Sequence, residues 1–323
     1  MIPDFSLIVS GADITGLIRR RLISLTVTDE AGFKSDALDV TLDDRDAGIA
    51  VPSTGAGIAV SLGYKEVGLT PMGRYTADEV TLSGPAARLS FRGASADMGG
   101  SLKSHKTRNW DDVSLADLVT SIAAEHSLKS AVSDALGKIA YDHIAQVDES
   151  DMHLLKRLAK DHDAIATVKA GALLLAERGL GRCVSGAALP VIAVDKGEVA
   201  DYRVTLAERG KYRSAVASWH DEATGKTETV TAGEGETVYR LHHIQPTRER
   251  AEQAAKAKLK SLTRGKAQLS LNLPGNPMIA AEARMRLSGL RSGVDGLWSI
   301  TTVTHMIDNG GFKTQIKAET PTD

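Results

Sequence analysis

Residues able to do chemistry occur throughout this 323-residue chain, so the question is whether any stand at the spacing that chemistry requires. Gly225-Lys226-Thr227 ends like a phosphate-binding loop, but such a loop needs a further glycine five residues before Gly225, and His220 stands there. Asp221 to Thr227 reads instead as a polar hairpin turn. The nine histidines could ligate a metal, yet no H-E-x-x-H or paired C-x-x-C spacing occurs. His242 and His243 are adjacent and point to opposite sides of a strand. His153 and His162 lie nine residues apart, about 900° of helical rotation, on opposite sides of one helix.

The acidic pairs Asp43-Asp44 and Asp111-Asp112 and the run Asp148 to Asp151 contain carboxylates enough for acid and base roles. A glycosidase needs two acids facing each other across a cleft, which adjacency does not supply, and turns or helix starts account for these positions. Neither a G-x-S-x-G elbow nor a cysteine-protease signature surrounds the serines or Cys183. The sequence therefore nominates no catalytic, cofactor-binding or metal-binding residue, and neither an enzyme nor a cofactor is expected.

Charge narrows the partners. Lysine and arginine total 39 against 41 acidic residues, a formal charge of −2, which is not the basic balance of a nucleic-acid binder. Arg19-Arg20-Arg21, Lys103 to Arg108, and Lys256, Lys258 and Lys260 are the basic clusters, each expected as a solvated face or a contact to an acidic partner. Four phenylalanines and three tryptophans leave few platforms on which bases could stack. The one cysteine, Cys183, cannot form an intrachain disulfide and suits a reducing cytosol as a buried thiol. No secretory signal is expected from Met1 to Gly16, where Pro3, Asp4 and Asp13 interrupt any apolar core, and no membrane insertion from Ala47 to Tyr64, which Pro52 and several glycines break.

The elements that would position any site follow from periodicity. Over residues 1–98 apolar and polar side chains alternate, as in Ile23, Leu25, Val27 and in Leu38, Val40, Leu42, which predicts half-buried antiparallel strands. Turn-rich pieces at Pro52 to Gly57 and Gly68 to Gly73 separate them. Residues 99–200 predict an α+β unit. In it a capping box at Ser114 and Asp117 opens a helix carrying Leu115, Leu118, Val119 and Ile122, a second helix begins near Ser150, and a strand pair turns near Gly171. Residues 201–323 return to alternation around one helix after Pro246, with a turn at Pro274-Gly275-Asn276-Pro277. No sequence repeat or long linker is visible, although two β units flanking a helical insert are a form of architectural repetition.

The order of segments resembles the phage late control D family across nearly the whole chain. The resemblance rests on Asp36 to Asp46 with Asp43 inside it, Leu62-Gly63-Tyr64, Met72-Gly73-Arg74-Tyr75, Ala96-Asp97-Met98 and Trp110. It continues through Glu149-Ser150-Asp151-Met152, Arg264-Gly265, Pro274-Gly275-Asn276-Pro277 and Asp295-Gly296-Leu297-Trp298. It implies a mainly β (α+β) fold of two tube-like antiparallel β-barrel domains, 1–98 and 201–323, with a helical α+β insert, 99–200. It further implies a structural baseplate hub related to the hub part of type VI secretion spike proteins, built as a homotrimeric ring that adapts a six-fold tail tube to a three-fold central spike. The implied partners are the tube protein, the spike, the end of the tape measure, and baseplate wedge or sheath-initiating proteins. Assembly is implied in the bacterial cytoplasm. DNA would pass through the ring without specific binding, and a near-neutral chain predicts a lumen without a dense Lys/Arg lining. Two rival readings are a DNA-binding late-gene regulator using the basic helix 248–266, and a tail-associated cell-wall hydrolase.

Overall fold

Alternation builds the first unit. The computed structural model describes all residues except 33–34, 96–99, 170, 180–190, 207–211, 222–223, 264–266 and 322–323. Strands β1 (Pro3–Val9), β2 (Ala12–Asp13), β3 (Leu22–Glu30), β4 (Ala37–Asp43), β5 (Gly57–Tyr64), β6 (Gly68–Ser83) and β7 (Arg88–Ser95), with the short helix α1 (Thr15–Ile18), pair in the order β3-β4-β7-β6-β5-β1-β2. One face of every strand points inward, so Phe5, Leu7, Leu25, Leu38, Leu42, Ile58, Leu62 and Leu89 share a core. The piece Gly68 to Gly73, expected as a turn, is strand. The turn is Lys65–Val67, and Pro71 is tolerated in β6 because that stretch pairs with β5 alone.

The insert follows as β8 (His105–Ser114), α2 (Leu115–Glu125), β9 (Lys129–Val132), α3 (Asp134–Gly137), β10 (Ala140–Ser150), α4 (Asp151–Asp161), β11 (Ala164–Lys169) and β12 (Ala172–Glu177). Ser114 and Ser150 cap α2 and α4, accepting hydrogen bonds from the amides of Asp117 and His153. Leu115, Leu118, Val119 and Ile122 of α2 and Leu154, Leu155 and Leu158 of α4 bury their stripes against β11 and β12, which turn at Gly171 with φ +72°.

The second β unit contains β13 (Ile192–Asp195), β14 (Asp201–Leu206), β18 (Ala267–Pro274), β19 (Arg284–Ser288), β20 (Gly296–Asp308) and β21 (Gly311–Glu319). The boundary expected at 200/201 falls between β13 and β14, which both belong to this sheet. Between β14 and β18 the chain also makes a separate layer, β15 (Ser214–Asp221), β16 (Lys226–Gly233) and β17 (Val238–Gln245), covered by α5 (Arg248–Thr263). Ala217 and Ala232 meet Ala251 and Ala255 there, small side chains that let the helix lie close on the strands.

The two β units share one plan in the same chain order. The run β14-β18-β21-β20 repeats β3-β4-β7-β6, and β19 lies beside the start of β20 as β5 lies beside the start of β6. The β20–β21 register shifts between Ile300 and Thr302, and the β6–β7 register shifts at the matching place between Ala77 and Glu79. Beside each shift the backbone repeats too: Gly55 N–H donates to the Ala77 carbonyl (2.7 Å) and Ala77 N–H to that of Ala56 (2.9 Å). In the second unit Glu282 N–H donates to Ile300 (2.9 Å) and Ile300 N–H to Ala283 (3.0 Å). Gly55 and Glu282 both hold left-handed φ, +88° and +70°. Antiparallel pairing of β3 with β20, from Thr302↔Glu30 to Asp308↔Ser24, joins both units into one 13-stranded sheet.

Asp29, beside this seam, ties all three regions together. Its carboxylate pairs with Lys169 Nζ of the insert (2.7 Å) and accepts from the Ala281 amide of the second unit (2.7 Å). Glu30 accepts from the Thr302 hydroxyl, Gly32 N–H donates to Glu282, and Asp36 accepts from the Glu30 amide. Burial and the nearby Asp29 charge push the Asp36 carboxyl up to about 6, with Lys169 pulling the other way. The folded chain thus holds this proton more tightly than the unfolded chain, so the contribution is present below the ordinary carboxylate range and is lost as pH rises through about 6. Asp36→Asn, which keeps an oxygen for the Glu30 amide, should gain about 1 to 2 kcal/mol at pH 8 and almost nothing at pH 4. Thermal unfolding at both pH values checks this, and an equal change at both contradicts it.

Candidate functional site

The sequence segment Glu149-Ser150-Asp151-Met152 folds into the join between β10 and α4, and its carboxylate is the centre of a buried ionic cluster. Ser150 caps α4, which leaves Asp151 in the first helical turn, where backbone amides favour a negative charge. Its side chain is 0% exposed. Lys106 Nζ lies 2.6 Å from Asp151 Oδ2 and Arg108 Nη2 lies 2.7 Å from Oδ1. Gln146 Nε2 donates to Oδ1 at 2.9 Å, and His126 Nε2 stands 2.8 Å from Oδ2. Glu125 at the end of α2 completes the cluster, 2.7 Å from Lys106 and 2.5 Å from Arg108. Trp110 and Arg108 share the Gln146 amide oxygen, and the Arg108 guanidinium lies 4.3 Å over the Trp110 ring.

Burial alone would raise the Asp151 carboxyl, but the bonds from Lys106, Gln146 and His126 and the Arg108 charge outweigh it and hold it at about 2. Burial would likewise lower Lys106, and its two carboxylate partners raise it instead. Glu125, His126 and Asp151 are the grouping among the described residues whose ligand atoms lie within 4.8 Å of one another. Its two carboxylates are already matched by two cations, so a divalent ion would have to displace Lys106 and Arg108. Ser101 Oγ lies 2.8 Å from His126 Nδ1, on the ring nitrogen opposite the one that faces Asp151, and the paired charges around Asp151 suit a structural clamp between the β8–β10 pair, α2 and α4.

A second group of sequence-selected residues meets across the two β units. Tyr64 donates its hydroxyl to the Gly275 carbonyl (2.8 Å) and packs its ring 5.5 Å from Phe312. Gly275 has no alternative, because a Cβ there would stand 2.1 Å from the Phe312 ring, and a Cβ on Gly63 would stand 2.1 Å from the Gly68 carbonyl oxygen. Pro274 ends β18, and Pro277 is half-buried in the same turn. The remaining positions stay apart: Asp43 pairs with Arg45, Gly73 and Gly296 take φ of +127° and +133°, Asp295 accepts from the Leu290 amide, and Trp298 donates to the Val294 carbonyl. Glu149 pairs with Arg157, and Met152 packs on the insert core. Asp97 lies outside the described residues, as do Cys183 and Arg264-Gly265.

Sequence reasoning missed Lys106, Arg108, Glu125, His126 and Gln146 as one cluster. The available signal was alternation in His105 to Trp110, which sends Lys106, Arg108 and Trp110 to one side of β8. It also missed Asp29 and Lys169, whose contact spans 140 positions. Two clefts have mixed polar and apolar linings: one of about 430 Å³ lies beside Lys156, Asp163 and Arg178, and another of about 340 Å³ lies beside Tyr141, His162 and Arg250. In the latter, burial and then Arg250 lower His162 to about 4, Tyr141 Oη lies 2.7 Å from its Nε2, and Arg250 stacks on Tyr141.

Asp151→Asn should cost roughly 2 to 3 kcal/mol at pH 7, because Lys106 and Arg108 lose their buried counter-charge and keep only Glu125. Since Asp151 is lowered to about 2, its contribution is present above the ordinary carboxylate range and is lost as pH falls through about 2, so the wild-type advantage should shrink in acid. Denaturant unfolding of both proteins across pH measures it, and a constant difference refutes the clamp. At the second group, Gly275→Ala should cost about 1 to 3 kcal/mol by overpacking Phe312, and Tyr64→Phe about 1 kcal/mol for the lost hydrogen bond. The same unfolding measurement must return a larger loss for the alanine.

The profile of the phage tail baseplate hub (GPD) family matches residues 65–311. The chain is 32% identical over 359 aligned residues to the probable baseplate hub protein of Escherichia phage P2, spanning 98% of this chain and 93% of that one. The 43 kDa tail protein of prophage MuSo2 from Shewanella oneidensis has the same fold, with a TM-score of 0.75 at 15% identity over 98% of both chains. A component of the type VI secretion system of E. coli, described as similar to T4 tail proteins gp27 and gp5, matches at a TM-score of 0.60 and 12% identity over 94% of this chain and 74% of its own. The family match over most of the sequence, joined to a 32% identical relative along almost its whole length, makes this chain a member of the phage tail baseplate hub family.

Proposed function

We propose that three copies of this chain close into a ring that joins a six-fold tail tube to a three-fold central spike. The observation that carries the reading is the duplicated β plan: each chain presents two equivalent four-strand runs in one sheet, so three chains present six.

The exposed face of the shared sheet is the channel wall in this reading. Cross-strand rows on that face pass through Asn272, Gln315, Thr304 and Thr28, and through Ser24, Thr41, Ser90 and Thr81. Its cations are spaced by acidic or neutral neighbours: Arg92 faces Asp39 at 3.8 Å, Lys313 lies 3.5 Å from Asp308, and Lys317 is flanked by Ser270 and Thr302. A wall without a basic stripe lets DNA pass without exchanging counterions for protein contacts. The ring then meets the tube above, the spike below, the end of the tape measure at its lumen, and wedge or sheath-initiating proteins at its rim, after assembly in the host cytoplasm. No catalytic step is assigned to it: Asp43, Glu149 and Asp151 are held in ion pairs with Arg45, Arg157, and Lys106 and Arg108.

A regulator reading would need the basic face of α5 to be free for DNA. Arg250 is stacked on Tyr141, Lys258 lies over Tyr239, and Arg248 pairs with Glu252, which leaves mainly Lys256 and Lys260 exposed. Native mass measurement and electron microscopy of the purified chain with its spike should return three copies in a ring with six similar lobes. A two-fold or single-copy particle refutes the proposal, and so does duplex DNA binding at physiological salt through α5.

A further inference from the structure

We propose that neighbouring protomers join by adding β14 of one chain to the open edge of β6 in the next, repeating between chains the β3–β20 seam made within one. The inference rests on the three-copy ring and adds its seam and its register. In the shared plan β6 stands where β20 does, and β14 where β3 does. On β20 the first half is paired with β19 and the second half, from Thr302 to Asp308, with β3. On β6 the first half is paired with β5, while among the described strands the second half, Asp78 to Ser83, has β7 on one edge and none on the other. Strand β14 is likewise paired with β18 alone.

Side chains mark these two edges as unfinished. At the internal seam the inward-pointing Leu25, Val27 and Val303 are 0%, 1% and 0% exposed. At the open edges the residues on the same inward side, Leu82, Tyr202 and Leu206, are 60%, 38% and 72% exposed. Unpaired backbone beside exposed apolar side chains is the ordinary template for strand addition, and neither segment carries a proline or a lysine to block it.

The internal seam also sets the register. The matching shifts in β6 and β20 align Glu79 with Thr302, and the rows Arg92–Asp39–Thr26 and Lys317–Ser270–Arg203 align Thr26 with Arg203. Carrying Thr304↔Thr28 across then sets Thr81 opposite the partner's Thr205, Leu82 opposite the partner's Val204, and Val80 opposite the partner's Leu206, antiparallel. The exposed Leu82 and Leu206 are thereby covered at the join.

Cysteine pairing tests the register, since directly opposed antiparallel residues meet the Cα spacing of a disulfide. Within one chain Thr81 and Thr205 lie on the two end strands of an eight-strand run, so a bond between them reports on two chains. In a Cys183→Ser background, full-length protein carrying Thr81→Cys and Thr205→Cys should oxidise to linked species of up to three chains on a non-reducing gel. The pair Thr81→Cys and Asp201→Cys, displaced by about 13 Å along the strand, should stay unlinked. A three-copy ring that fails to link through 81 and 205, or that links equally through 81 and 201, overturns the seam and leaves the ring standing. Protein that remains single-copy, in solution and in assembled tails, overturns the ring and the seam with it.

Discussion

Among the described residues, side chains of the second unit enter the core of the first only at Ile307 and Phe312, and it is the backbone ladder between β3 and β20 that fixes how the two units are oriented. A ladder of this kind constrains direction, spacing and twist at once, because neighbouring strands hold a fixed separation and a fixed sense of rotation. It makes one sheet from two halves, and it aligns the polar side chains of both on a common face. The Asp29 carboxylate then fastens the insert to that seam through Lys169 and the 281–282 turn through the Ala281 amide. Every other relation between the regions is subordinate to this join.

The duplicated plan shows where a β unit tolerates additions. The link between β3 and β4 is a short connection in the first unit, whereas the corresponding link between β14 and β18 carries β15, β16, β17 and α5. The large insert lies between the two units, following β7 and preceding β13. Both additions leave the four-strand runs intact, since they enter at strand ends and do not interrupt a ladder. Their own stability comes from local cores, small residues beneath α5 and a leucine-rich stripe beneath α2 and α4.

The ionic cluster around Asp151 solves a different problem from the leucines beside it. Leucine contacts stabilise without direction, while a carboxylate held by Lys106, Arg108, Gln146 and His126 accepts only one orientation of the elements that carry those groups. Such a cluster costs desolvation and returns geometry, which suits a part whose task is to hold neighbours in place.

Much of the architecture was legible along the chain. Alternation in Leu25 and Val27, the helical stripe after Ser114, the cap at Ser150 and the turn at Gly171 depend on neighbours within a few positions, so local periodicity and backbone preference determine them. The order of motifs likewise identified the family from residues that pack or turn the chain. Two β units were expected, but their strand-by-strand correspondence was not legible, because equivalent positions such as Leu25 and Tyr202, or Glu79 and Thr302, share a place in a ladder and not a side chain. The Asp151 cluster, the Tyr64–Gly275 brace and the Asp29 junction were also decided only in three dimensions. Charges and hydroxyls carry no periodic mark of their partners, so until the strands bring distant segments within a few ångströms nothing in the order of residues says which pairs will meet.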